Sequence, residues 1–173
     1  AVTMGAPPID RFTTFVTDNS GNFGGAIYAE GASGAGEPFT FIAMRNTFFE
    51  DNQAVGKGGA FHSANAVDWV LDPTSPGKPC EYAGERLPCS VVRNNAAFNS
   101  GSVGSPGGGV GYIGNEAGSQ RGIFRFSRTL FTENHDYNGG KAAVAVANGT
   151  SEMMFERCIF VGNEADTGND GAM

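Results

Sequence analysis

The chain repeats a phrase, and that repetition limits what it can fold into. Five segments share one plan: an aromatic residue stands three positions before Asn or Asp, and a glycine pair then precedes a small and an apolar residue. Phe15-Val-Thr-Asp18 leads to Gly24-Gly25-Ala26-Ile27, and Phe49-Glu-Asp-Asn52 leads to Gly58-Gly59-Ala60-Phe61. Phe98-Asn-Ser-Gly101 is degenerate but leads to Gly107-Gly108-Gly109-Val110. Phe131-Thr-Glu-Asn134 leads to Gly139-Gly140, and Phe160-Val-Gly-Asn163 leads to Gly171-Ala172-Met173. A second series runs alongside: Arg45, Arg93, Arg128 and Arg157 each stand six residues before Asp51, Asn99, Asn134 and Asn163. The phenylalanines are spaced 34, 49, 33 and 29 residues apart. Such uneven spacing suits a stack of units whose strands keep register while their loops vary.

The units read as strands rather than helices. Phe39, Phe41 and Ala43 alternate with Thr40, Ile42 and Met44, and Phe124 and Phe126 alternate with Arg125 and Ser127; alternation of this kind is the period of a pleated strand. The residue choice agrees. Phe occurs 14 times and Leu only at positions 71, 87 and 130, a bias toward pleated surfaces and away from helix. The expected fold is all-β, a right-handed parallel β-helix, with residues 1–173 as one domain and an insertion loop at 67–89. In such a solenoid the Phe, Ile and Val positions pile up as ladders inside. Asn accepts a left-handed bend and bonds neighbouring backbone, and paired glycines allow a sharp corner and close approach. Because the last unit stops at Gly171-Ala172-Met173, a fragment or an uncapped C-terminal end is expected, with a strand edge open to pairing.

The tetrapeptides GGAI at 24–27, GGAF at 58–61, FEDN at 49–52, FTEN at 131–134 and FVGN at 160–163 resemble those that define the polymorphic membrane proteins of chlamydiae. The similarity runs from about Phe15 to Met173. It implies a right-handed β-helix and, in that family, an autotransporter passenger acting in adhesion. Two departures stand against a complete adhesin: no outer-membrane barrel follows, and the chain ends in mid-repeat at Gly171-Ala172-Met173. The third unit also carries a long insertion, and its Phe98 segment lacks the Asn.

Charge and composition exclude other classes. A formal net charge of −7 repels phosphate backbones, so no nucleic-acid partner is expected. No apolar run approaches the roughly 20 residues of a membrane span. An enzyme of the carbohydrate-active β-helix type would need clustered carboxylates with Lys, Arg or His on one face. Here His62 and His135 are the only histidines and Lys57, Lys78 and Lys141 are scattered, so neither a catalytic group nor a cofactor is expected. His62 reads as a solvated strand residue and His135 as a turn residue. Asn163, Glu164, Asp166, Asn169 and Asp170 crowd oxygen ligands into one stretch, a composition that calcium favours but acidic turns share; no metal site is assigned.

Cys80 and Cys89, flanked by Pro79 and Pro88, either close a small loop as a disulfide or remain the thiols of a cytosolic protein. Cys158 reads as a small buried residue. Asn148-Gly149-Thr150 forms a glycosylation sequon. The insertion, with Trp69, Tyr82 and prolines 73, 76, 79 and 88, reads either as a stiffened partner-binding loop projecting from the scaffold or as a buried strand followed by spacer. The leading expectation is a non-enzymatic structural or adhesive module that contacts a protein partner or larger assembly at the cell surface or outside the cell. The alternatives are a small structural subunit of an organelle or filament complex, placed in an organelle lumen, and a carbohydrate-active β-helix.

Overall fold

The computed structural model describes residues 11–31, 40–65, 67–75, 77–98, 107–114, 122–137, 143–147 and 151–166. Among these every regular element is a β-strand, and no helix is long and apolar enough to cross a membrane. The chain makes repeated passes through the same four sheets. The first pass supplies Thr14–Thr17 (β1), Ser20–Gly21 (β2), Ile27–Glu30 (β3) and Thr40–Arg45 (β4). The second supplies Thr47–Glu50 (β5), Gln53–Ala54 (β6), Phe61–Ala64 (β7) and Val67–Asp72 (β8). A hairpin of Pro79–Tyr82 (β9) and Glu85–Pro88 (β10) interrupts the sequence. The third pass resumes with Val91–Arg93 (β11), Ala96–Phe98 (β12), Gly111–Gly114 (β13) and Ile123–Ser127 (β14). The fourth holds Leu130–Thr132 (β15), His135–Tyr137 (β16), Ala145–Ala147 (β17) and Glu152–Glu156 (β18), and Ile159–Val161 (β19) and Glu164–Ala165 (β20) follow.

Corresponding strands pair in parallel. The sheets run β1-β5-β11-β15-β19, β2-β6-β12-β16-β20, β3-β7-β13-β17 and β4-β8-β14-β18, and only the β9–β10 hairpin is antiparallel. Like side chains therefore lie on like. On the first sheet Val16, Phe49, Val92, Phe131 and Phe160 form one inner file, with the Phe131 and Phe160 rings parallel at 5.0 Å. On the fourth, Ile42, Trp69, Phe124 and Met153 form another. Phe49, Phe61, Trp69, Phe124, Phe126 and Phe131 are all at most 1% exposed. Each such ring contributes roughly 1.5–3 kcal/mol by leaving water.

A continuous asparagine ladder turns the corner between the first and second sheets. Asn52 donates its backbone N–H (3.1 Å) and its Nδ2–H (2.8 Å) to Oδ1 of Asn95. Asn95 does the same to Asn134 (3.1 and 3.0 Å), and Asn134 to Asn163 (3.1 and 2.8 Å). Asn19 begins the series by donating Nδ2–H to Asn52 at 2.9 Å. The second amide hydrogen goes to main chain, as in Asn52 to the Val16 carbonyl and Asn134 to the Val92 carbonyl, both at 2.9 Å. The residue before each ladder asparagine is left-handed: Asp18, Asp51, Asn94, Glu133 and Gly162 have φ of 57°, 57°, 50°, 56° and 61°.

This ladder corrects the repeat in two units. Its rungs are 33, 43, 39 and 29 residues apart, and the phrase is apolar-x-x-Asn rather than Phe-x-x-Asn. The first unit is Val16-Thr-Asp-Asn19, so Phe15 points outward and is 52% exposed. The third is Val92-Arg-Asn-Asn95, whereas Phe98 lies on β12 with its ring parallel to Tyr137 at 4.8 Å. Valine replaces phenylalanine at the inward position, which hides the unit from a search for aromatics. The arginine series also splits. Arg45 and Arg93 are not corner residues; they pair between passes with Asp72 (3.6 Å) and Glu50 (2.5 Å).

The glycine phrase holds where passes approach most closely. A Cβ on Gly25, Gly59 or Gly109 would lie 2.2, 1.9 or 2.1 Å from a carbonyl oxygen of the following pass, at Gly59, Gly109 and Ala143 respectively. The third pair is thus Gly108-Gly109, not Gly107-Gly108, and Ala143 holds the fourth position. Gly139 and Gly140, like Gly171, Ala172 and Met173, lie outside the described residues.

Asn134→Ala would leave both Asn95 donors buried without their acceptor, so it should lower stability by about 3 kcal/mol. Asn19→Ala, at the exposed end of the ladder, should cost under about 1 kcal/mol. Urea unfolding of the two variants measures the contrast. In the same assay Gly59→Ala should destabilise by more than about 3 kcal/mol. Gly84→Ala, in open space at φ 83°, should cost only about 1 kcal/mol.

Candidate functional site

The first sheet is apolar on its outer face too. Phe15, Phe48, Val91, Leu130 and Ile159 form its outward file. The insertion exists, in structural terms, to cover the middle of it. Ala83 and Gly84, at φ 50° and 83°, make the two-residue turn that a tight hairpin requires, and a Cys80–Cys89 disulfide closes the hairpin at its base. The hairpin lies on the sheet and forms a second small core of Phe12, Phe48, Cys80, Cys89 and Val91, with Tyr82, Leu87 and Leu130 at its margin. The Tyr82 ring sits 4.3 Å from that of Phe48. The Arg93 guanidinium, held by Glu50, lies over Phe48 at 4.9 Å. Phe15 and Ile159, at the two ends of the file, are each 52% exposed.

Of the two sequence readings of residues 67–89, the buried strand holds for Val67–Asp72, while the remainder is neither a projecting loop nor a spacer but a clasp. Trp69 is not part of it. It stands on β8, 1% exposed in the main core, with its indole N–H donated to the Ser63 hydroxyl. A partner can reach Tyr82 only at its half-buried edge, and Trp69 not at all.

Between the hairpin and the corner joining the fourth sheet to the first lies a cavity of about 330 Å³. Pro73, Pro79 and Leu87 supply apolar wall and Ile159 the far side. Lys78, Arg86, Arg128 and Arg157 line the same space. These residues are far apart in the sequence; pairing brings them together, because Arg128 and Arg157 occupy equivalent corners of successive passes and the hairpin folds back beside them. Arg128 and Arg157 are left-handed, with φ of 48° and 55°, as is Asn46 at the same corner of the first pass, with φ 47°.

His62, His135 and Cys158 are engaged elsewhere. His62 points outward from β7 but is buried, against the solvated position expected from alternation. Tyr28 and Tyr112 hold it from the neighbouring passes at 5.2 and 5.1 Å, and Phe23 covers it at 5.2 Å. His135 is on strand β16, not in a turn; it stacks on Tyr137 at 3.7 Å and meets Asp166 at 2.7 Å. Cys158 continues a file of buried hydroxyls, Thr47, Ser90 and Thr129, at the start of the first sheet. Burial pushes its thiol above the ordinary value, against hydrogen bonding at Thr129 and Glu156. Among the described residues no three His, Cys, Asp or Glu side chains are grouped to hold a metal ion. Asn169, Asp170 and the Asn148 sequon lie outside the described residues.

No family model, curated protein or solved structure matches this chain.

Joint replacement of Cys80 and Cys89 by Ser should lower stability by about 2–4 kcal/mol, read from urea midpoints. Cys158, kept protonated at neutral pH, should be alkylated by iodoacetamide far more slowly in the folded protein than in urea.

Proposed function

We propose that the chain is a stretch of right-handed parallel β-helix serving as a non-enzymatic structural or adhesive module, whose walls and clasped hairpin face contact a protein or surface partner. One observation carries this reading: the same four-sheet order and the same asparagine contact recur from Asn19 to Asn163. A chain that revisits four sheets in fixed order coils, and parallel crossovers are right-handed in about 98% of cases. Outward charges are used to tie passes together, as in Arg45–Asp72, Arg93–Glu50 and Arg125–Asp68 at 3.6, 2.5 and 3.5 Å. That use suits a scaffold better than a proton-transfer site. The Cys80–Cys89 disulfide favours an oxidising setting, the cell surface or an organelle lumen. The resemblance to the chlamydial repeat family points toward adhesion.

A second reading is a structural subunit within a longer array. Phe15, Phe23, Tyr28 and Phe41 in the first pass, and Met154, Ile159 and Val161 in the last strands, are each at least 49% exposed. Exposed apolar residues beside unpaired strands are natural stacking surfaces.

The purified chain should bind saturably to intact cell surfaces and release no product from acidic polysaccharides. Appearance of new reducing ends or unsaturated sugars would reassign it to the carbohydrate-active β-helices. A left-handed coil in an experimental structure would remove the architectural basis.

A further inference from the structure

We propose that the cavity between the hairpin and the fourth-to-first sheet corner is a binding site for a compact ligand bearing two or more sulfate or phosphate groups.

The charge distribution is the first reason. The chain has 11 Lys and Arg against 18 Asp and Glu, yet Lys78, Arg86, Arg128 and Arg157 line this one space and no acidic side chain does so among the described residues. Elsewhere the basic side chains of the sheet walls are neutralised by carboxylates across the pairing. Here Lys78, Arg86 and Arg128 have no ion-pair partner among the described residues. Arg157 has only a loose contact, 3.7 Å, to Glu156, with both side chains about two-thirds exposed. Glu156 beside Arg157 and Glu81 opposite Arg86 are nearby carboxylates on these elements, and neither lines the space, so four like charges face it with an excess that an anion offsets.

Geometry is the second. Arg128 and Arg157 begin from equivalent corners of neighbouring passes. Parallel pairing sets such corners about 4.8 Å apart, a separation that lets two guanidinium groups grip one tetrahedral oxyanion or two adjacent ones. Arginine suits this because its planar fork bonds sulfate and phosphate oxygens in pairs. Both corners are left-handed, a conformation that Asn46 takes readily at the same level and a long side chain disfavours. Lys78 and Arg86 come from the hairpin, so the disulfide that fixes the hairpin also fixes the opposite wall. At about 330 Å³ the space matches the lower range of small-ligand sites, and Pro73, Pro79 and Leu87 offer apolar surface to the body of the ligand. This site stands apart from the adhesive reading, since a scaffold with silent walls could still hold an anion here.

Isothermal titration calorimetry tests it with two probes, inositol hexakisphosphate and a sulfated uronic-acid disaccharide, at low salt. At least one should bind with 1:1 stoichiometry, and affinity should fall steeply as sodium chloride is raised. Arg128→Asn with Arg157→Asn, substitutions suited to the left-handed backbone, should weaken binding at least tenfold while circular dichroism and the urea midpoint stay close to the parent's. Lys57→Gln with Arg125→Gln, which removes as much charge at residues that do not line the cavity, should leave affinity within twofold. Binding of one probe and not the other assigns the site to phosphorylated or to sulfated ligands, and the tighter probe does so where both bind. Failure of both to bind overturns the site, and so does equal weakening by the two double variants, which would show only general attraction to basic residues.

Discussion

The structure depends on a buried asparagine that must be answered by another asparagine one pass away. A primary amide in the interior is unfavourable unless its donors and acceptor are all met. Here the Oδ1 of Asn52, Asn95, Asn134 and Asn163 takes two hydrogens from the preceding pass. Where a next rung exists one amide hydrogen goes to it, and the other goes to a main-chain carbonyl, in the preceding pass for Asn52, Asn134 and Asn163 and two residues back for Asn19 and Asn95. This arrangement works at only one register. On this sheet a slip of one residue would exchange Val16, Phe49, Val92, Phe131 and Phe160 for the apolar outer file of Phe15, Phe48, Val91, Leu130 and Ile159, so burial alone discriminates poorly between registers there and the asparagines must. Hydrophobic burial supplies most of the driving force, while the ladder makes one alignment far better than its neighbours.

The close approach at the glycine corner works with the ladder. With a Cβ at Gly59, the following pass would have to move, and the asparagine bonds at the adjacent corner could not keep their length. The hairpin solves a different problem. The first sheet is apolar on both faces, which the inner file needs on one side only, and the disulfide-closed β9–β10 pair buries the exposed middle of the outer one. The same insertion thus serves packing at its apolar underside and creates a basic cavity at its edge.

Much of this was readable without coordinates, and the failures are informative. Asn52, Asn134 and Asn163 were recognisable because Phe preceded each at a fixed distance. Asn19 and Asn95 were missed because Val stands at that inward position, and burial requires apolar volume rather than an aromatic ring. Phe15 and Phe98 drew attention by residue type, although their side chains point away from the core. Trp69 reads from sequence either as part of a partner-binding loop, because it adjoins a proline-rich stretch, or as a buried strand residue. Alternation along Val67-Asp-Trp-Val-Leu71 already placed it on the same face as Val67 and Leu71. His62 was misjudged for the converse reason: outward on a strand means exposed only if the neighbouring passes carry small side chains, and here they carry tyrosines.

The amino-acid sequence by itself determined the local vocabulary: all-β strands, bends at the Asn and Gly phrases, and a unit that recurs with variable spacing; the left-handed residue proved to be the one before each repeat Asn rather than the Asn itself. Those properties follow from backbone sterics and side-chain period, which act over a few residues. Tertiary structure decided which copy of the phrase pairs with which, that the insertion lies flat as a clasp, and that Lys78, Arg86, Arg128 and Arg157 share one cavity. Such outcomes depend on contacts between residues distant in sequence, from 29 positions between Asn134 and Asn163 to 43 between Asn52 and Asn95. No local preference encodes a distance of that kind.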